Sequence, residues 1–171
     1  MVKKLEKLKA VYPGTFDPFT NGHLDVLSRA LSLFDVIIIG VANGEGKKPL
    51  FSADERKKLI EKTLELQSLG FDSSRVLVKT YDNLLVDFAK NNSVRHIIRG
   101  LRAISDFDHE AQMAMIVRRL SPELETVFLI ASEEHSFISS TGVKEIARYG
   151  GDVSRFVAGP VAQGLMDKFK K

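Results

Sequence analysis

The chain has 171 residues, of which 44% are apolar and 27% are charged, values typical of one globular domain with a sizeable core. It contains no cysteine, which excludes a disulfide framework, a thiolate nucleophile and a cysteine-ligated metal. The N-terminus lacks the apolar segment of a signal peptide, and the longest strongly apolar run, Val36–Ala42, is too short to span a membrane. We therefore expect a cytoplasmic protein.

The net charge of +3 and the pI of about 9.1 raise the possibility of nucleic-acid binding, but the charge lies at the two ends. Seven of the 25 basic residues are lysines within residues 3–9 and 168–171. Residues 10–166 carry 18 basic and 20 acidic residues, a net charge of −2, and no basic stripe with interleaved aromatics. We expect one domain over residues 1–171, with 1–7 and 168–171 as loose tails and no nucleic-acid partner.

Strand and helix patterns alternate along the chain. Predicted strands are Leu8–Val11, Val36–Ala42, Val76–Val78, Arg95–Ile98 and Thr126–Ala131. Predicted helices follow His23, the capping box at Ser52–Glu55, then Leu84–Asn91, Phe107–Leu120, Ser139–Tyr149 and Pro160. This alternation predicts an α/β fold: a doubly wound, mostly parallel five-stranded sheet with helices on both faces. Ligands of such sheets bind beyond the carboxyl ends of the strands, here segments 13–22, 43–51, 79–83, 99–105 and 132–139.

The segment Tyr12–His23, which reads YPGTFDPFTNGH, combines a strand end, an open polar loop and a helix start. Free backbone N–H groups at a helix start, together with the positive end of its dipole, favour phosphate. A histidine in the first helical turn would point into that site. This segment predicts a site for a phosphorylated ligand.

Two further segments follow predicted strands with cations and glycine. Asn43–Pro49 holds two lysines and two glycines, which suits either an ordinary surface loop or a movable lysine that closes over phosphates. Arg99-Gly100-Leu101-Arg102 is predicted to follow the fourth strand. A guanidinium matches phosphate oxygens with a planar fork, and the glycine lets the backbone approach a ligand.

Three hydroxyl residues, Ser139, Ser140 and Thr141, precede a predicted helix, although N-capping needs only one of them. Together with the free N–H groups they predict a second phosphate site. Lys144 lies in the first turn of that helix, where the dipole disfavours a cation, and a bound polyphosphate would explain it.

The sequence has neither GxxxxGK[ST] nor GxGxxG, and no pair of histidines has metal-ligand spacing, so we expect no protein-bound zinc. No general base or covalent nucleophile is evident. The reaction that fits is attack by an anionic phosphate, whose second pKa is about 6, on another phosphate. Catalysis then reduces to alignment and charge stabilisation.

Several motifs closely resemble the bacterial phosphopantetheine adenylyltransferase family of the nucleotidylyltransferase superfamily. They are Tyr12–His23, Arg99–Arg102 with Asp106-Phe107, Pro122–Glu125 and Phe137–Ser140. The likeness runs in order over roughly residues 9–155. The TxGH and ISST elements mark only the superfamily, whereas PGTFDP and RGLR narrow it to this family. The resemblance implies a Rossmann-like fold and the reaction of ATP with 4′-phosphopantetheine to give dephospho-coenzyme A and pyrophosphate, with Mg²⁺.

The resemblance also implies roles for individual residues. His23 would stabilise the transition state, and Lys47 and Arg99 would hold the phosphate of phosphopantetheine. Thr15 would contact both ligands, and backbone near Leu85 would line the pantetheine arm. ATP would contact Thr15, Phe16, His23, Gly100, Leu101, Arg102, Glu110, His135, Ser136, Phe137, Ile138, Ser139, Ser140 and Thr141. A homohexamer and feedback inhibition by coenzyme A are implied as well.

The chain departs from the usual pattern of the family at three positions. His109 and His135, both near the expected adenine, replace a tyrosine and a tryptophan or tyrosine. Val117 replaces an asparagine near the pantetheine arm, which bears on acceptor contacts and on feedback. Two other functions stay open: transfer of AMP or CMP to another phosphorylated acceptor such as nicotinamide mononucleotide, and a catalytically silent nucleotide-binding regulator.

Overall fold

The computed structural model describes residues 7–43, 48–66, 69–102 and 104–170, except for the side chains of residues 104 and 105. Strands and helices alternate in it as the sequence predicts. Their bounds are β1 Lys9–Gly14, α1 Asn21–Ala30, β2 Val36–Ala42, α2 Ala53–Leu64, β3 Val76–Tyr81, α3 Leu85–Asn91, β4 His96–Leu101, α4 Ile104–Leu120, β5 Glu125–Ile130, α5 Ser140–Arg148 and α6 Gly159–Phe169. Among these helices none is both long and apolar enough to cross a membrane.

All strand pairs are parallel, and the strand order is β3-β2-β1-β4-β5. The first three strands extend the sheet in one direction, and β4 and β5 extend it in the other. The reversal falls between β1 and β4, and in such sheets the crevice at the carboxyl ends of these two strands is where ligands bind. The predicted doubly wound parallel sheet is confirmed.

Alternate residues of the central strands face opposite sides, because the side-chain period of a strand is two. Ala10 and Ile37 pack with Leu27 of α1 and Ile60 of α2, in one buried cluster. Val11, Ile38 and Ile97 pack with residues of α3 and α4 in a second cluster on the other face. The central strands are thus covered on both faces, as their continuous apolar sequences predict.

The strand ends correct two sequence predictions. Arg99, Gly100 and Leu101 belong to β4 rather than following it, because their backbones pair with Phe128–Ile130 of β5. Helix α4 begins at Ile104, three residues before the predicted start. Arg99 therefore projects from a rigid strand, and Arg102 lies in the short connection to α4.

The C-terminal tail is shorter than predicted. Lys168 and Phe169 form the last turn of α6. The Nζ atom of Lys168 lies 2.8 Å from Glu55 of α2 and above the ring of Phe51, so these residues are packed rather than loose.

Candidate active site

A cavity of about 450 Å³ opens at the carboxyl edge of the sheet between β1 and β4. Its walls come from the ends of these strands, the starts of α1 and α5, and the first turns of α4. The residues that line it are Tyr12, Pro13, Gly14, Phe16, Thr20, Gly22, His23, Val26, Arg99, Gly100, Arg102, Asp106, His109, Glu110, Ala131, Ile138, Ser139, Ser140 and Thr141. The cavity thus brings together residues from three of the five predicted segments, 13–22, 99–105 and 132–139, and from the helix turns they lead into.

His23 is the third residue of α1 and is held by a capping box with Thr20. The Thr20 side-chain oxygen accepts from the His23 backbone N–H at 3.4 Å, and the Thr20 backbone N–H donates to His23 Nδ1 at 3.0 Å. Histidine here takes the place that glutamate or glutamine usually occupies in this motif. The Thr20 hydroxyl also lies 3.0 Å from Nδ1.

This contact decides which tautomer of His23 is present. Because Nδ1 accepts a backbone N–H, the proton of the neutral ring belongs on Nε2. Burial, assisted by the nearby Arg102 charge, lowers the pKa of His23 from 6.5 to about 4. At neutral pH the ring is therefore an uncharged donor through Nε2–H in a wall of the cavity.

Aromatic side chains fix the plane of the His23 ring. Phe19 stacks on it with ring centroids 5.5 Å apart, and Phe16 meets it edge-on at 5.1 Å. Phe16 is buried and has a φ of 51°, a left-handed conformation that is costly for a bulky residue. A Cβ at Gly14 would lie 2.8 Å from the Phe16 ring, so this position requires glycine.

Each cavity arginine has a carboxylate partner on α4. Arg99 Nε lies 3.1 Å from Glu110 Oε2, an ion pair without hydrogen-bond alignment at that oxygen. Arg102 donates from Nε and Nη2 to both oxygens of Asp106, at 3.2 and 3.4 Å. Both guanidinium groups are thus held at the cavity before any ligand binds. Gly100 lies between them, and a Cβ there would crowd Val26 at 3.1 Å.

The three hydroxyl residues at the start of α5 line the same cavity. Ser139 is the N-cap and accepts from the Gly142 backbone N–H at 3.0 Å. The Ser140 hydroxyl donates to the Pro18 carbonyl at 2.8 Å and so joins α5 to the loop after β1. Two of the three hydroxyls therefore have structural partners, and Thr141 is exposed.

Lys144 does not need a polyphosphate to explain its position, which corrects the sequence-based interpretation. Its Nζ lies 2.6 Å from Asp17 Oδ2, and Asp17 is only 5% exposed. Asp17 also accepts from the backbone N–H groups of Leu50 and Phe51, at 2.9 and 3.0 Å. A buried carboxylate requires a cation, and Lys144 supplies it.

Several predicted residues lie outside the cavity lining. Thr15 is exposed on the loop after β1, and Leu85 begins α3 and packs on the opposite face of the sheet from α1. Leu101 is buried at the end of β4, and Phe137 is 71% exposed. Neither His135 nor Ser136 is among the lining residues. Lys47 lies outside the described residues, so its predicted role stays a prediction.

Sequence reasoning missed Arg56 in α2, which is 1% exposed. Its guanidinium donates to the carbonyl of Thr15 and, at 2.9 Å, to that of Ala42. Nothing in the local pattern marks this arginine, because it follows a capping box in a helix rich in charged residues. Only the tertiary packing places it beneath the loop after β1.

The fold and the site define a nucleotidylyltransferase-like protein, and comparisons with known proteins agree. The cytidylyltransferase-like family profile matches residues 11–146. A nicotinic acid mononucleotide adenylyltransferase of Plasmodium falciparum complexed with NaAD has a similar structure, with a TM-score of 0.69 at 15% identity over 95% of this chain and 96% of that one. A bifunctional NMN adenylyltransferase/ADP ribose pyrophosphatase of Francisella tularensis, complexed with AMP and a manganese ion, gives 0.70 at 18% identity over 94% of this chain. This chain spans 48% of that protein.

A closer relative narrows the assignment. A phosphopantetheine adenylyltransferase of Rhodospirillum centenum is 49% identical over 165 residues, which are 96% of this chain and 89% of the relative. This chain therefore belongs to the phosphopantetheine adenylyltransferase family, within the cytidylyltransferase-like proteins. The family that the sequence motifs resemble is confirmed.

Proposed function

We propose that this enzyme transfers AMP from ATP to 4′-phosphopantetheine, giving dephospho-coenzyme A and pyrophosphate. The observation that carries the mechanism is the position of His23, a neutral donor at the start of α1, in one cavity with Arg99 and Arg102. The 49% identity to a phosphopantetheine adenylyltransferase supports this choice of reaction.

The reaction proceeds by direct in-line attack, without a covalent enzyme intermediate. The acceptor phosphate supplies the nucleophilic oxygen, attacks the α-phosphorus of ATP and expels pyrophosphate. It is largely ionised near neutral pH and needs no side-chain base. The protein aligns the two phosphates and stabilises the charge that develops between them. His23 Nε2–H donates to an α-phosphate oxygen as that charge develops.

The two ligands divide the cavity. ATP binds the α5 side and the β4–α4 connection, through Gly100–Arg102, Glu110 and residues 135–141, with Thr15, Phe16 and His23 beside its phosphates. Phosphopantetheine places its phosphate on Thr15, Lys47 and Arg99 and its arm toward Leu85. His109 lines the cavity and is available to the adenine.

In this proposal the phosphates of ATP would hold Mg²⁺. Among the described residues no three histidine, aspartate or glutamate side chains group as a metal site. Mg²⁺ itself keeps several waters and is commonly bound through substrate phosphates with one or two carboxylates. The ion would neutralise part of the charge on the phosphates, and the protein's own cations would neutralise the remainder.

The test is pyrophosphate release from ATP with phosphopantetheine present, with nicotinamide mononucleotide present, and with neither. Rapid release only with phosphopantetheine supports the proposal. Release with nicotinamide mononucleotide instead would favour the other acceptor class. ATP binding without release on any acceptor would favour a silent regulator. His23→Gln, purified in the same way, is the control: pyrophosphate release that persists undiminished in this variant would come from a contaminating enzyme.

Assembly, regulation and location belong to the same proposal. Apolar side chains of α4 and β5 are exposed in the single chain, namely Phe107, Met115, Ile116, Leu120 and Ile130. A surface of this kind supports a homo-oligomer, and we propose a hexamer. Coenzyme A would inhibit by occupying the acceptor site, and the enzyme would act in the cytoplasm. Light scattering and inhibition kinetics test the first two.

A further inference from the structure

Arg56 is a buried cation that binds only main-chain carbonyls in the described structure. Its Nε donates to Phe51 and Ser52, at 3.0 and 3.3 Å, and its Nη1 donates to Thr15 and Ala42. Burial lowers the pKa of Arg56, which the nearby Asp17 charge opposes, and an arginine remains charged in a folded protein. Burying a charge is costly, so this arrangement is a specific one.

The four carbonyls come from three separate segments. Thr15 belongs to the loop after β1, Ala42 ends β2, and Phe51 and Ser52 precede α2. Ala42 and Phe51 flank the segment that contains Lys47. One side chain therefore ties both flanks of the lysine segment to the loop that carries Thr15.

Asp17 makes the complementary contacts in the same place. It accepts the N–H groups of Leu50 and Phe51, whereas Arg56 takes the Phe51 carbonyl. Asp17 is in turn paired with Lys144. The loop after β1 and the 50–52 segment are thus cross-linked by two buried charges of opposite sign. Among the described hydrogen bonds, neither Asp17 nor Arg56 is joined to Gly100 or Arg102, which lie on the other side of the cavity.

We propose that Arg56 is a positioning residue for the acceptor half of the reaction, acting through Thr15 and the flanks of the lysine segment. This rests on the proposed function, in which Thr15 and Lys47 hold the acceptor phosphate. Without Arg56 the loop that carries Thr15 and the flanking residues Ala42 and Phe51 lose their common anchor, and acceptor binding must reorder them. Thr15 also lies beside the ATP phosphates in that proposal, but the other ATP contacts, on β4 and α5, have no described hydrogen bond to Arg56 and keep their geometry.

The variants are Arg56→Met, Arg56→Lys and, as the matched control, Arg75→Met. Arg75 also binds three carbonyls, those of Leu31, Phe34 and Asp35, but it does so away from the cavity. Both Met variants should lose thermal stability. Only Arg56→Met should raise KM for phosphopantetheine, by about tenfold or more, with KM for ATP changed less than about threefold. Arg56→Lys, which keeps the charge without the fork, should fall between wild type and Arg56→Met.

Three results would overturn the proposal. The first is an equal rise in both KM values, and the second is equal kinetics of the two Met variants per folded molecule. The third applies if Arg56→Met does not fold. In that case the affinity of Arg56→Lys for phosphopantetheine is measured by calorimetry without ATP, and an affinity equal to that of wild type would overturn the proposal. Adding Thr15→Val to Arg56→Lys should raise KM less than the two single effects combined. Failure of wild type to use phosphopantetheine refutes the proposed function instead.

Discussion

The backbone N–H of Thr20 donates to Nδ1 of His23 over 3.0 Å, so one contact both caps α1 and orients the imidazole toward the cavity. Nε2–H is thereby the available donor, on a ring that is neutral at physiological pH. The stability of the start of α1 and the chemistry at the cavity both depend on the His23 side chain, and variants of this residue can distinguish the two roles.

His23→Ala and His23→Gln should both lower kcat by about 100-fold or more, with little change in ATP affinity. The lost donor acts mainly in the transition state, where one such interaction is worth on the order of 3 kcal/mol. Glutamine is a usual partner in a capping box, so only the alanine variant should also lose about 1 kcal/mol of stability. Turnover and denaturation curves for both variants check this. Near-normal kcat with a raised KM would contradict it.

The low pKa of His23 predicts an acid-sensitive contribution to stability. Between pH 6.5 and about pH 4 the unfolded chain binds a proton at this residue that the folded protein does not. The free energy of unfolding therefore falls as pH falls through this window. The Tm of wild type should therefore fall relative to that of His23→Gln, which does not titrate, as the pH is lowered from 7 to 5. Parallel Tm curves for the two proteins would show that the folded pKa is not lowered.

Arg99→Ala and Arg102→Ala should separate the two substrates. Arg99→Ala should weaken the binding of phosphopantetheine by about 1.5–3 kcal/mol, or roughly 10- to 150-fold, and leave the affinity for ATP nearly unchanged. Arg102→Ala should weaken the binding of ATP instead. Separate titrations with each ligand check this, with Arg118→Ala, an arginine exposed on the far end of α4, as the control.

Part of the Arg99 effect would come from Glu110, which loses its cation and then repels phosphate. The double variant Arg99→Ala/Glu110→Gln removes that repulsion and should recover some acceptor affinity. Loss of ATP binding alone in both single variants would mean that the acceptor site is misplaced.

Lys144→Met should cost stability without a matching loss of ATP affinity. Removing the cation leaves the buried Asp17 carboxylate unpaired, which costs about 1.5–3 kcal/mol. Lys57→Met is the control, because its pair with Glu61 is exposed and worth about 0.5 kcal/mol or less. Chemical denaturation and ATP titration measure both quantities. Weaker ATP binding at unchanged stability would restore the polyphosphate interpretation of Lys144.

Local sequence patterns were sufficient for the fold and for the edge that carries the site. The β-branched run Val36–Ala42 and the capping box at Ser52–Glu55 encode their own strand and helix, because strand and helix periods are properties of neighbouring residues. Once strands and helices alternate, parallel pairing sends all carboxyl ends to one edge. His23 and Arg102 could therefore be assigned to one cavity from the sequence alone, and the structure brings them together there.

Only the tertiary structure decided how the charges are paired. Lys144 meets Asp17 from 127 positions away, and Arg56 reaches the Thr15 carbonyl from 41 positions away. The extension of β4 to Leu101 likewise depends on its ladder with β5. Such contacts have no local signature, because many charged residues could pair and the buried partner is set by packing. The sequence alone determined which edge of the sheet carries the site, and the three-dimensional packing determined which residues line the cavity and which of them hold each other.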